Sequence, residues 1–211
     1  MNRWTRVLEG LDLIEAAALP MAVETAYRSL ENLGAAAGQT VLVNGAGTTV
    51  GFAAVQIALM RGGRVIATAG DTFAERLREL GAKVTSYGNA MVERVLEIAG
   101  GMPDLILDVA PISGVLPDLI KIAGGEPRRI LTITDFAAAA ELGVRSSLGE
   151  DPTLRYDVLG DFAQRAADGQ FTVPVAQTFA LEDWRAAFDV SQSGHAHGKL
   201  VILPGRAATA S

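Results

Sequence analysis

From Asn32 to Met60 the chain carries no charged residue, and Arg61 ends the run. A stretch this apolar must be buried, either in a membrane or in a protein core. Gly34, Gly38, Gln39, Asn44, Gly45, Gly47 and Gly51 interrupt it, so its apolar runs are too short to cross ~30 Å of hydrocarbon. A buried strand, a glycine turn and a buried helix account for it better. Thr40–Asn44 (TVLVN) reads as the strand and Val50–Met60 as the helix. Asn44-Gly45-Ala46-Gly47-Thr48-Thr49-Val50-Gly51 is the turn between them.

The same alternation continues downstream. Arg64–Thr68 reads as a strand, Thr72–Leu80 as a helix ended by Gly81, and Lys83–Ser86 as a strand. Ala90–Ala99 follows as a helix ended by Gly100-Gly101, then Asp104–Val109 as a strand, Ser113–Ala123 as a helix and Arg128–Thr132 as a strand. The strands are Val/Ile/Leu runs without strict alternation, the pattern of strands buried on both faces. This order predicts an α/β fold: a doubly wound parallel sheet of the Rossmann type with right-handed crossovers.

The flanks are less regular. Leu11–Leu33 reads as a helix broken at Pro20, and the alanine run Ala137–Ala140 as helical. Leu154–Ala167 reads as an amphipathic helix with Leu154, Val158, Leu159 and Phe162 on one face. Thr172–Thr178 is a strand interrupted by Pro174. Leu181–Val190 is a helix whose Trp184 and Phe188, spaced i, i+4, are read as core, and Lys199–Leu203 is a closing strand. The expected organisation is a lead-in over 1–33, a dinucleotide-binding core over 34–150, a C-terminal helix–strand extension over 151–204 and a loose tail over 205–211.

Composition narrows the function classes. Of 211 residues, 49% are apolar and 20% charged, which excludes a disordered chain. Cysteine is absent, which removes disulfides, catalytic thiols, iron–sulfur clusters and cysteine-based zinc sites. The net charge is −6 with no block of Lys or Arg, so no nucleic-acid partner is expected. Met1–Glu9 is polar and does not read as a signal peptide. The expectation is a cytoplasmic protein without a membrane partner.

The glycine turn carries the chemistry. A helix N-terminus presents free N–H groups and a partial positive charge. Glycines there let a pyrophosphate approach the backbone and let the helix pack on the strand. No Gly-Lys-Ser/Thr follows, which removes the P-loop. A Tyr-x-x-x-Lys reductase is also disfavoured, because Tyr27, Tyr87 and Tyr156 are followed four residues on by Glu31, Met91 and Gly160.

Glu15-Ala16-Ala17-Ala18-Leu19-Pro20-Met21, Thr25-Ala26-Tyr27 and the glycine turn resemble the medium-chain dehydrogenase/reductase family, in its zinc-independent quinone oxidoreductase branch. Val65-Ile66-Ala67-Thr68-Ala69, Glu79-Leu80-Gly81-Ala82, Leu107-Asp108, Gly124-Gly125 and Gly198-Lys199-Leu200-Val201 extend the resemblance from about Leu8 to Leu203. The resemblance implies an NADPH-dependent oxidoreductase, without metal, that passes hydride to a quinone, enone or similar small carbonyl compound. It also implies that a GroES-like domain which usually precedes this region is missing. The isolated chain is then expected to bind cofactor but to be weakly active. A separate chain would supply the missing domain, or a homodimer would form through the strand near Val144. Thr48 stands at the usual third glycine, and Ala110-Pro111 replaces a glycine pair. Gly125 is followed by Glu126-Pro127, slightly longer than usual.

Candidate cofactor residues follow from the turn and the strand ends. Gly45, Gly47, Thr48, Thr49, Val50 and Gly51 surround the pyrophosphate position. Thr68, Ala69, Gly70 and Asp71 form the corner for the adenosine ribose. Small polar residues there favour NADPH, Asp71 keeps NADH open, and Arg76 is the nearest base for a 2′-phosphate. By the resemblance, Tyr87 lies near the cofactor phosphates. Val109, Ala110, Ile133 and Thr134 follow strands four and five, where backbone groups could position ribose and nicotinamide. Asp108 reads as a loop or helix-capping carboxylate, and no catalytic residue is identified. His195-x-His197 lacks an evident third ligand, so no metal is expected. Two other readings stay open. One is an S-adenosylmethionine-dependent methyltransferase, with Asp71 as its acid; the other is a non-catalytic nucleotide-sensing module.

Overall fold

The computed structural model describes residues 6–194 and 196–205. His195, the first five residues and most of the expected tail, from Arg206 onward, lie outside the described residues. The chain divides into two compact units, one of Val23–Arg155 and one of Met1–Ala22 with Tyr156–Ser211.

The larger unit holds one sheet. Its strands are β1 (Thr40–Asn44), β2 (Arg64–Thr68), β3 (Lys83–Thr85), β4 (Leu105–Asp108), β5 (Ile130–Thr132) and β6 (Arg145–Ser146). All five pairings are parallel and the order is β3-β2-β1-β4-β5-β6. This is a doubly wound sheet whose order reverses beside β1. The connecting helices are α2 (Thr49–Met60), α3 (Asp71–Glu79), α4 (Met91–Ala99), α5 (Leu116–Ile122) and α6 (Phe136–Leu142). Leu42, Ile66, Ile106 and Ile130 pack with Met91, Val95, Leu116, Leu119 and Ile122 into one buried cluster. α2 is buried over most of its length, from Val50 to Ala58, which is why its sequence carries no charge.

Helix α1 (Leu13–Leu33) is continuous through Pro20, so the expected break does not occur. The proline removes one backbone bond, but a helix of 21 residues keeps the others, and Ala18, Leu19, Ala22, Val23 and Ala26 around it are buried. Asp12 starts the helix: its Oδ1 accepts from the amides of Ile14 and Glu15 at 2.8 and 3.2 Å. Helix α5 starts later than expected, after Gly114 at φ +88° has turned the chain out of helical geometry.

In the smaller unit, α7 (Leu159–Ala167) is preceded by a 3₁₀ turn, Tyr156–Val158. The expected helix from Leu154 is therefore too long, and Leu154 lies outside it, partly exposed. The chain before the turn is bound elsewhere: the Arg155 amide donates to Glu24 Oε1 at 3.2 Å. β7 (Val175–Ala180) begins only after Pro174, which has no N–H to give, and runs past the expected Thr178. It pairs in parallel with β8 (Lys199–Leu203) across α8 (Trp184–Gln192), forming a separate two-stranded sheet. Trp184 and Phe188 are 46% and 54% exposed, which corrects their reading as core.

Candidate cofactor site

Register places one polar residue at the carboxyl end of every strand. Thr85, Thr68, Asn44, Asp108, Thr132 and Ser146 are successive partners across all six strands. The central four are almost completely buried. Such groups must find partners within the protein, and they find each other. Thr68 Oγ1 donates to Asn44 Oδ1 at 2.6 Å, and Asn44 Nδ2 donates to Asp108 Oδ1 at 2.8 Å. Thr132 Oγ1 donates to Asp108 Oδ2 at 2.8 Å, and the Ala110 amide reaches Oδ1 at 3.3 Å. Burial pushes the Asp108 carboxyl above its ordinary value, against the three hydrogen bonds that favour its charged form. Asp108 is therefore the hub of a buried network on the sheet, not the loop or capping carboxylate expected. The signal was present, since TVLVN, RVIAT, LILD and ILT each close an apolar run with a polar residue.

The network holds the glycine turn. Thr68 Oγ1 accepts from the Gly45 amide at 3.1 Å, and the Ala46 amide donates to the Thr68 carbonyl at 2.9 Å. Gly45 has φ +84°, and a Cβ there would lie 2.6 Å from the Ala110 nitrogen. A Cβ on Gly51 would lie 2.4 Å from the Gly45 carbonyl oxygen. Both glycines are required by the chain's own packing. Gly47 is different: its φ is unexceptional, and a Cβ would meet only Phe73 Cδ2 at 3.4 Å. The fold does not demand a glycine at 47, and there is room beside its Cα that the chain's own atoms do not fill.

That room lies before the first turn of α2. Thr48 is the N-cap, with φ −78° and ψ 160°, and its Oγ1 accepts from the Gly51 amide at 3.0 Å. The residue at the expected third glycine thus has a definite helical role. The amides of Thr49 and Val50 are the first two of the helix, which intrahelical bonds leave unmet. With no acidic residue in its first turn, α2 directs an uncompensated positive end toward the same space.

The other candidate residues lie at the same end of the sheet. Ala69 and Gly70 follow β2, Gly70 is the N-cap of α3, and Asp71 is the first residue of that helix and exposed. Tyr87 is 59% exposed, and its hydroxyl is 3.6 Å from the position of a Cβ on Gly70. Arg76 lies further along α3 with its guanidinium 5.0 Å from the centre of the Phe52 ring of α2. Arg78 pairs with Glu75 on the exposed face of α3. Val109 and Ala110 follow β4, and the Val109 amide donates to the Asn44 carbonyl at 2.9 Å. Ile133 and Thr134 follow β5; the Ile133 amide donates to the Asp108 carbonyl at 3.1 Å, and Thr134 Oγ1 is 3.2 Å from Thr132 Oγ1. The loops after β1, β2, β4 and β5 therefore meet where the strand order reverses, the place ligands occupy in such sheets.

The chain has no cysteine, and among the described residues no three His, Asp or Glu side chains come together. His197 lies in the loop before β8, and its expected partner His195 lies outside the described residues. No helix among the described residues is long and apolar enough to cross a membrane.

Known proteins match this chain in sequence and fold. A family model described as zinc-binding dehydrogenase covers residues 11–202. A phenolphthiocerol/phthiocerol polyketide synthase of Mycobacterium tuberculosis is 30% identical over 207 residues, covering 89% of this chain and 10% of that protein. The chain thus spans about a tenth of the length of that relative. The 2-methylene-furan-3-one reductase of Solanum lycopersicum is 41% identical over 76 residues, covering 35% of this chain and 20% of the reductase. The solved structure of an NAD-dependent alcohol dehydrogenase superposes with a TM-score of 0.76 at 28% identity, over 92% of this chain and 60% of that one. With the family model spanning the sheet, its glycine turn and the closing strand, the chain belongs to the zinc-binding dehydrogenases of the medium-chain dehydrogenase/reductase family, as a cofactor-binding domain.

Proposed function

We propose that this chain binds NADPH and forms the cofactor half of a zinc-independent reductase acting on an enone, or on a quinone or similar small carbonyl compound. The observation that carries the reading is Gly47, a glycine the fold does not need, beside unmet amides at the N-terminus of α2. The turn from Gly45 to Gly51 holds the pyrophosphate, with the Thr49 and Val50 amides as donors. Gly70, Asp71, Arg76 and Tyr87 surround the adenosine ribose. Backbone groups of Val109, Ala110, Ile133 and Thr134 position the nicotinamide end. Bound cofactor supplies the hydride, and these residues supply the orientation that the transfer requires.

The enone reading draws support from the tomato relative, whose named substrate is a ketone conjugated to an exocyclic double bond. This chain brings no cysteine to the site and, among the described residues, no cluster of three His, Asp or Glu side chains. Another domain or chain supplies most of the substrate pocket, so the chain alone binds cofactor and reduces quinones or enones poorly.

Calorimetric titration of the purified chain with NADPH, NADH and S-adenosylmethionine tests this. Saturable NADPH binding, lost in Gly47→Leu, is the expected result. Binding of S-adenosylmethionine alone overturns the reading in favour of a methyltransferase. Binding of none of the three overturns the dinucleotide site altogether.

A further inference from the structure

The segment between β3 and α4 carries Tyr87 and is built on an uncommon backbone. Gly88 has φ +83°, and Ala90, with a side chain, has φ +57°. An alanine in that conformation persists only where its surroundings impose it. The Met91 amide donates to the Gly88 carbonyl at 3.0 Å and the Arg94 amide to the Ala90 carbonyl at 3.2 Å, and one side chain braces the segment from outside. Arg94, half-buried on α4, donates from Nε to Thr85 Oγ1 at 2.9 Å, from Nη1 to the Asn89 carbonyl at 2.6 Å and from Nη2 to the Ser86 carbonyl at 2.8 Å. Its fork therefore holds the last residue of β3 and both sides of the loop at once. All three acceptors are neutral, so the planar geometry of the donors is what the arrangement uses.

Between the two clamped carbonyls stands Tyr87. Its ring leans over Gly70, at the start of α3, and among the described residues its hydroxyl makes no hydrogen bond. Thr85 is also the register partner of Thr68, whose hydroxyl holds the Gly45 amide. Arg94 is thus tied both to the strand that supports the glycine turn and to the loop that carries the tyrosine.

We propose that Arg94 is a positioning residue that holds the Tyr87 hydroxyl over Gly70 and so sets the affinity for the ribose-phosphate end of a dinucleotide. The inference rests on the dinucleotide reading and goes beyond it, because Arg94 lies on a helix that contributes none of the expected cofactor contacts.

A double-mutant cycle on NADPH affinity tests it. Wild type, Tyr87→Ala, Arg94→Ala and the double variant are titrated by calorimetry, with circular dichroism and thermal midpoints recorded for each. Each single substitution is expected to weaken NADPH about tenfold, and the double variant to be no weaker than either single. Arg94→Lys, which keeps the charge and loses the fork, is expected to bind like Arg94→Ala while retaining the wild-type midpoint more closely, and it serves if the alanine variant does not fold. A double variant weakened about a hundredfold overturns the inference, as does Arg94→Lys with wild-type affinity. Failure of the wild-type chain to bind NADPH or NADH overturns the dinucleotide reading itself, and the inference with it.

Discussion

Asn44 and Asp108 end adjacent strands, face each other in register and share a hydrogen bond of 2.8 Å from Nδ2 to Oδ1, both buried. The bond fixes more than one contact. With Nδ2 turned to Asp108, Asn44 Oδ1 faces Thr68, whose hydroxyl then has its lone pairs free for the Gly45 amide. The conformation of the glycine turn is therefore tied to a carboxylate two strands away from Thr68.

Asp108 is expected to make stability depend on pH. Its folded value is raised, mainly by burial. Between the ordinary aspartate value and the folded one, the native state keeps a proton that the unfolded chain has lost. The contribution is thus unfavourable above that window, and stability falls as pH rises through it. Asp108→Asn keeps the shape and can still accept from Asn44 and donate to Thr132. The stability of the wild type relative to Asp108→Asn, read from urea midpoints between pH 4 and 8, is expected to fall as pH rises, and Asp108→Asn is the more stable of the two at pH 8. Asp108→Ala strands Asn44 Nδ2 and the Ala110 amide and should cost about 3 kcal/mol. An Asn variant less stable than wild type at pH 8 would show that the buried carboxylate is stabilising in its charged form.

The glycines of the turn are expected to separate into two kinds. Gly45→Ala forces a left-handed alanine against the backbone of Ala110, and Gly51→Ala drives a methyl into the Gly45 carbonyl. Each should cost about 3 kcal/mol or prevent folding. Gly47→Ala should change stability by less than about 0.5 kcal/mol, because its methyl meets only Phe73 at an ordinary distance. Thermal midpoints of the three variants decide this. Loss of stability in Gly47→Ala equal to the other two would remove the reason for reading Gly47 as a ligand position.

The central strands and the turn were legible because burial on both faces imposes a composition that little else imposes: Thr40–Asn44 and Arg64–Thr68 coincide with β1 and β2 at both ends. Where a side chain from elsewhere decides, local pattern misleads. Leu154 fits the apolar face of α7, but the Glu24 carboxylate holds the next amide out of the helix. Pro20 reads as a break because the tertiary burial that carries α1 through it has no local signature. In the site, the turn could be read from glycine spacing and the polar end of each strand from its run, whereas the pairing of Asp108 with Thr132 and the reach of Arg94 depend on register between strands and on loop geometry. Those are properties of the assembled sheet.

Thr48 is expected to repay its place at the usual third glycine. Its hydroxyl meets the Gly51 amide, the third of α2, at 3.0 Å. Thr48→Ala removes that acceptor and should cost about 1 kcal/mol, whereas Thr48→Ser should be nearly neutral. Chemical denaturation of both variants tests the role, and equal midpoints for Ala and Ser would deny it.

Trp184 and Phe188 occupy one face of α8 and are about half exposed, with Leu181 and Ile202 of the same unit also exposed. Side chains so placed add little to the folded state, because water reaches them before and after folding. They also put apolar surface where another molecule can cover it. Phe188→Ser is therefore expected to shift the urea midpoint by less than about 0.5 kcal/mol in stability. The same change should reduce concentration-dependent self-association of the isolated chain, measured by sedimentation. A large loss of stability would show that α8 uses Phe188 to hold its own unit together, and the residue would return to the core that its spacing first suggested.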